Sequence, residues 1–167
     1  MKQFICMIAL CALLLTGCWQ QPESFYTKPV HFYYPRISFD LTSGTRALSY
    51  ELREGKDFSS EKELLEYYFE GPSNSGFYSP FPVGGDVLDY TVSQGCIYLY
   101  LSHHFNELIG FSFTIATSCI AMTILTYTGH DSVEINVVGI DNEIERFVTL
   151  TQDDILLIDS CTIPPAE

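Results

Sequence analysis

The chain has 167 residues, a formal net charge of −13 from 21 Asp and Glu against 8 Lys and Arg, and is 47% hydrophobic and 14% aromatic. This length predicts one domain with a real core, and the apolar and aromatic content excludes a disordered chain. The acidic balance excludes nucleic acid as a partner and an electrostatic hold on anionic lipid, because both require clustered Lys and Arg.

The first 17 residues have the pattern of a signal peptide. Lys2 precedes an uncharged apolar run over residues 4–15, which is the length of a signal-peptide core and short for a membrane span. The run leads into Leu-Thr-Gly-Cys18, which resembles the lipobox of bacterial lipoproteins. The resemblance implies a signal peptide over 1–17, palmitate-type lipidation of Cys18, and an extracytoplasmic protein anchored to the bacterial cell membrane. An ordinary secretory signal with a chance cysteine is the alternative.

Three cysteines remain beyond Cys18, namely Cys96, Cys119 and Cys161. Three thiols allow at most one internal disulfide, and Cys96 with Cys161 is the pairing to consider. Cys119 is expected as a small buried hydrophobe. The spacing of the cysteines matches no zinc site, so no metal is expected.

The mature chain begins with a tether and two strands. Residues 18–29 mix polar and aromatic residues with two prolines, and we interpret them as a membrane-proximal tether. Residues 30–34 alternate and stop at Pro35, which predicts a strand. A second strand is predicted over 47–53, with Leu48, Tyr50 and Leu52 on one face and Ser49, Glu51 and Arg53 on the other.

A helix and a hairpin follow. Ser60 and Glu63 predict a capping box, and Gly71-Pro72 predicts the end of the helix. Strands are predicted at 87–92 and 96–101, joined by the three-residue loop Ser93-Gln94-Gly95.

Residues 108–129 carry no formal charge and are long enough for a membrane span. Seven of the 22 are Ser or Thr, and a span would send an acidic tail to the cytoplasm without support from the positive-inside rule. A buried core helix over about 112–127 is therefore favoured. Residues 132–138 predict a strand, and the acidic extension 141–167 predicts first a hairpin and second a short capped helix.

The ordered features over 30–140 resemble a GerMN domain, the module of bacterial sporulation and germination lipoproteins. The segments that carry the resemblance are VHFYYP (30–35), Arg46, YYFEGP (67–72), SPFP (79–82), Leu101-Ser102 and VEINVVG (133–139). The resemblance implies a single compact α+β domain of βαββαβ type, with two helices on one face of a small mixed sheet. It also implies binding and assembly rather than catalysis, with no cofactor.

Ser102, His103 and His104 are the only candidates for a hydrolase site. A triad needs base and nucleophile within hydrogen-bond reach, adjacent strand residues point to opposite faces, and no nucleophile-elbow glycines surround Ser102. We therefore expect no catalytic residues.

Surface tyrosines are the more informative feature. Tyr98 and Tyr100 alternate with the aliphatic side of their strand, which places them on the outward face, where we also expect Tyr90. Tyrosine patches are common at protein interfaces; packing beneath the extension is the alternative. We expect an envelope protein partner or self-assembly, with peptidoglycan binding as the second function and a hydrolase as the third.

Overall fold

The computed structural model describes residues 29–38, 47–54 and 57–155. Within them the elements are β1 (Val30–Pro35), β2 (Leu48–Arg53), α1 (Glu61–Phe69), β3 (Val87–Ser93), β4 (Cys96–Leu101), α2 (Phe111–Thr128), β5 (Ser132–Val138) and β6 (Ile144–Thr151). Short 3₁₀ turns follow β4 and β6, at His103–Glu107 and Gln152–Asp154. The expected α+β class is confirmed.

The strands form two sheets. β1 and β2 pair antiparallel, and a four-stranded sheet has the order β3-β4-β5-β6. In that sheet β4 and β5 are parallel, and parallel neighbours need a crossover, which α2 supplies. Because α2 contacts β1 as well as β5 and β6, this one helix joins the two sheets.

The uncharged segment 108–129 forms the central helix. α2 begins one residue before the predicted range and ends one residue after it, at Thr128. The next residue, Gly129, caps the helix with a φ of +76°, the left-handed conformation that glycine adopts readily. By length and composition this helix could cross a membrane, but 67% of it is buried inside the protein. The burial agrees with the predicted core helix.

Buried polar groups of α2 and α1 bond to the backbone of β1. The N–H of Tyr33 donates to Oγ1 of Thr123 at 3.0 Å, and Tyr68 of α1 donates its hydroxyl to the carbonyl of Tyr33. The two backbone groups of one residue in an antiparallel pair point the same way, so these bonds lie on the edge of β1 that faces away from β2. Thr123 in the middle of an apolar helix therefore has a structural reason.

The start of α1 differs from the predicted capping box. The Ser60 hydroxyl accepts from the backbone N–H of Glu63 at 3.2 Å, as predicted. The Glu63 carboxylate, however, accepts from the N–H of Ser59 at 2.8 Å and from the Ser59 hydroxyl. The reciprocal half of the box is thus displaced by one residue, because Ser59 offers two donors.

The hairpin turn is one residue shorter than predicted. Ser93 pairs with Cys96, so only Gln94 and Gly95 form the loop, with φ of 52° and 81°. Positive φ at both positions is typical of a type I′ turn, whose twist matches that of the flanking strands.

Part of the predicted extension belongs to the four-stranded sheet. β6 pairs antiparallel with β5, and Thr151 and Asp154 then form a reciprocal capping box around a 3₁₀ turn. This turn corresponds to the short capped helix, the second structure predicted for the segment. Residues 156–167 lie outside the described residues, so the hairpin stays a prediction.

A half-buried ion pair attaches β2 to the segment that follows α1. The Nε of Arg53 donates to Glu51 at 2.8 Å, and Nη2 donates to the carbonyl of Gly71 at 2.7 Å. The Glu51 carboxylate also accepts from the N–H groups of Ser73 and Asn74, each at 3.1 Å. The polar face of β2 is therefore turned inward.

The pKa of Glu51 reflects this network. Burial alone would raise the pKa, but hydrogen bonds from Ser73, Arg53 and Asn74 outweigh it and hold the pKa below the ordinary value of 4.5. A carboxyl with a lowered folded-state pKa stabilises the fold above its ordinary pKa, and this stabilisation is lost as the pH falls through the folded-state value.

We predict that Glu51→Gln lowers the free energy of unfolding at pH 7 by about 1–3 kcal/mol, because a charge-assisted network is lost. The difference from the wild type should shrink below about pH 4, where the wild-type carboxylate becomes protonated. Urea denaturation from pH 7 to pH 3 measures both. Glu66→Gln, in an exposed pair with Lys62, is the control and should change stability by less than about 0.5 kcal/mol. A difference that stays constant down to pH 3 would contradict the assignment.

Candidate interaction surface

The four-stranded sheet has one face packed on α2, and within the described residues its other face is partly exposed, with Phe147 exposed and Asn136 buried. The inner face is lined by buried aliphatic residues such as Leu99 and Ile135. The strand register places the opposite side chains in three cross-strand rows. We call these rows the outer sheet face: Asp89, Tyr100, Asn136 and Phe147; Thr91, Tyr98, Glu134 and Thr149; Ser93, Cys96, Ser132 and Thr151.

Tyr98 and Tyr100 lie on this face, partly exposed. Tyr100 is flanked in register by Asp89 on β3 and by Asn136 on β5. The next position along its row is Phe147, which is 66% exposed. The three rings make an aromatic surface across β4 to β6, which is unusual for a solvated sheet face.

Glu134 stands beside Tyr98. The two residues are in register across β4 and β5, and the Glu134 carboxylate accepts from Nδ2 of Asn136 at 3.1 Å. The pKa of Tyr98 is raised, most strongly by repulsion between a tyrosinate and the Cys96 thiolate, then by desolvation and by the charge of Glu134.

Tyr90 does not belong to the outer sheet face, and its predicted placement is wrong. It pairs with Leu99 and packs against the core. The predicted three-residue loop would pair Tyr90 with Tyr98, whereas the two-residue turn shifts the register by one and moves Tyr90 to the other face. Its buried hydroxyl has no partner among the described residues, and burial, with the charge of Glu61, raises its pKa to about 12.

Ser102 and His104 do meet, although the strand pattern predicts opposite directions. The 3₁₀ turn after β4 brings Nδ1 of His104 to 3.4 Å from the Ser102 hydroxyl, and His103 stacks on His104. The hydroxyl accepts from the N–H of Asp86 at 3.0 Å, and Ser102 is only 5% exposed. These contacts fasten the entry to β3.

Metal binding finds no support in the part of the chain that the structure describes. No group of three or more His, Cys, Asp or Glu residues there could hold an ion. Cys96 and Cys119 carry free thiols, and burial raises the pKa of Cys119 strongly. Arg46, Cys18 and Cys161 lie outside the described residues.

A second surface, which the sequence pattern does not indicate, lies at the start of α2. A groove of about 240 Å³ is lined by Tyr78, Pro80, Phe81, Leu108, Phe111 and Ile115, among others. Phe111 is 66% exposed there. Residues 78–81 are held beside β1 by the hydrogen bond that the N–H of Tyr78 donates to the carbonyl of Pro35.

Comparisons with known proteins identify the family. The family model described as Germane, sporulation and spore germination, matches residues 31–143. No curated protein matches the chain. Among solved structures, the tandem GerMN domains of the sporulation protein GerM from Bacillus subtilis are 16% identical with a TM-score of 0.52, over 74% of this chain and 46% of theirs. The chain thus spans about half of that protein's length, and the likeness concerns the fold.

A candidate lipoprotein of Clostridium perfringens is 14% identical over 78% of this chain and 91% of its own, with a TM-score of 0.41. That score is too low to support an inference. The family assignment rests on the match over residues 31–143, which is more than half of the chain. The chain belongs to the Germane family of sporulation and spore germination proteins.

Proposed function

We propose that the protein is a lipid-anchored, extracytoplasmic module without enzymatic activity that binds another envelope protein through its outer sheet face during sporulation or germination. The observation that carries the proposal is the aromatic outer sheet face, where Tyr98 and Tyr100 lie two residues apart on β4 and the exposed Phe147 lies in the row of Tyr100, with Asn136 between them. Aromatic residues are enriched in the buried centres of protein interfaces. The sporulation and germination setting follows from the family.

The orientation of β1 is compatible with an anchor at Cys18. Tyr33 bonds to Thr123 near the end of α2, and Pro35 bonds to Tyr78 at the groove beside the start of α2. β1 therefore runs antiparallel to α2, and Val30 lies at the end of the helix opposite to the groove. The helix is about 27 Å long, and residues 18–29 reach at most about 40 Å. Such a tether leaves the outer sheet face accessible from the side.

A peptidoglycan or glycan fragment is the second candidate ligand for the same face. Partly exposed tyrosine rings offer flat apolar surfaces on which sugar rings can stack, and Glu134 provides a polar group beside Tyr98. A hydrolase is disfavoured, because the Ser102 hydroxyl is buried and already bonded to the backbone.

We predict that Cys18→Ala moves the protein from the membrane fraction to the soluble extracytoplasmic fraction, because the acyl chains that would hold it are no longer attached. Fractionation of cells, with labelled palmitate as a second readout, measures this. Cys96→Ala is the control and should leave both readouts unchanged. Palmitate labelling of the Cys18→Ala protein, or an unlabelled wild type, would contradict lipid attachment at Cys18.

We predict that Tyr98→Ser together with Tyr100→Ser abolishes partner binding. A photo-crosslinking residue at exposed Thr149 on the same face should trap an envelope protein in intact cells, and the double substitution should weaken capture by about 30-fold or more. Phe111→Ser, in the groove, is the matched control and should retain capture. Urea denaturation checks that both variants remain folded.

Two outcomes would contradict the protein-binding proposal. In the first, capture persists in the double variant but is lost in Phe111→Ser, which would assign the groove instead. In the second, no protein is trapped while cell-wall fragments bind the wild type and not the double variant, which would favour the glycan alternative.

A further inference from the structure

We infer that the outer sheet face recognises an arginine- or lysine-bearing segment of its protein partner, with each tyrosine and an adjacent acid forming one subsite for a cationic side chain. This inference rests on the proposed function, because it names the chemistry of the partner that binds the same face.

The register places one acid directly beside each tyrosine. Asp89 is in register with Tyr100, and Glu134 is in register with Tyr98. The two acids lie on opposite sides of β4, in neighbouring rows of the face. Each tyrosine is therefore paired with an acid on an adjacent strand, and adjacent strands lie about 5 Å apart.

Such a pair matches the two ways in which proteins bind a guanidinium or ammonium group. The face of a phenol ring attracts a cation, and a carboxylate accepts short, charge-assisted hydrogen bonds from it. Glu134 is already oriented by the hydrogen bond from Asn136. Asp89 is likewise oriented by the N–H of Tyr90, which donates to its Oδ1 at 2.8 Å.

The outer sheet face supplies no cation of its own. None of the twelve positions in its three rows is Lys or Arg. The nearest Arg on these strands, Arg146, is in register with Val137, and its guanidinium bonds to the carbonyl of Leu108 and lies 3.8 Å from the ring of Phe113. Arg53 is held by Glu51 and Gly71. Within these rows, no cationic side chain neutralises the carboxylates beside the tyrosines.

Charge complementarity therefore selects the occupant. A face with carboxylates and no cations, on a chain with a net charge of −13, repels anionic lipid and anionic glycan and attracts a basic protein surface. The spacing of the subsites, two residues apart along β4, suits side chains that alternate along an extended segment.

The test uses the full, lipidated protein in neutral detergent and two fluorescent peptide probes, (Arg-Gly)₄ and (Glu-Gly)₄. The arginine probe should bind and the glutamate probe should not, as measured by fluorescence anisotropy at physiological salt. Asp89→Asn with Glu134→Gln should weaken binding of the arginine probe about tenfold or more. Both substitutions keep an oxygen acceptor for the Tyr90 N–H and for Asn136, so the fold should be retained.

The matched control removes the same charge elsewhere. Glu107→Gln with Glu143→Gln, both exposed and outside the outer sheet face, should change affinity less than twofold. An equal loss in the control pair would overturn the inference, because it would show attraction to net charge alone. Equal binding of the two probes would also overturn it.

The outcomes separate this inference from the proposed function. If Asp89→Asn with Glu134→Gln leaves probe binding and cellular crosslinking unchanged while Tyr98→Ser with Tyr100→Ser abolishes crosslinking, the cationic partner is wrong and the binding face stands. If the tyrosine substitutions also leave crosslinking unchanged, both are wrong.

Discussion

The fold depends on how the backbone groups on one edge of β1, the edge that faces away from β2, find hydrogen-bond partners. Among the described residues, β1 has a strand neighbour only in β2, and on its other edge Thr123 of α2 and Tyr68 of α1 bond to the backbone of Tyr33. A buried N–H without a partner costs about 1–3 kcal/mol, so an all-aliphatic helix could not occupy this position. The Thr123 hydroxyl makes α2 a suitable neighbour for the edge of β1.

This arrangement leaves the outer sheet face open. Because α2 packs on the inner face and also contacts β1, the aliphatic residues of both sheets are used in one shared core. Aromatic residues of β1, α1 and the loop after it, including Phe32, Tyr68 and Phe81, form the other side of that core through a chain of ring contacts. The opposite side of β4 and β5 has no such partner among the described residues, and there Tyr98, Tyr100 and their acids face solvent.

Local patterns predict most elements of this fold. Alternation identifies β1 and β2, and the uncharged run with its terminal glycine locates α2 to within one residue at each end. The errors arise where one residue changes a register or where contacts are distant in sequence. The turn at Gln94-Gly95 reverses the side of Tyr90, the 3₁₀ turn joins Ser102 to His104, and the bond from Arg53 to Gly71 links residues 18 apart. None of these follows from periodicity, because the first two depend on local turn geometry and the third on tertiary contact.

The most direct test of this account is the stability of Thr123→Val, measured by urea denaturation. This substitution keeps the shape of the side chain but removes the acceptor for the N–H of Tyr33. The account predicts a loss of about 1–3 kcal/mol, whereas Thr114→Val, at an exposed position of the same helix, should change stability by less than about 0.5 kcal/mol. Equal, small effects of the two substitutions would contradict the claim that α2 seals the edge of β1.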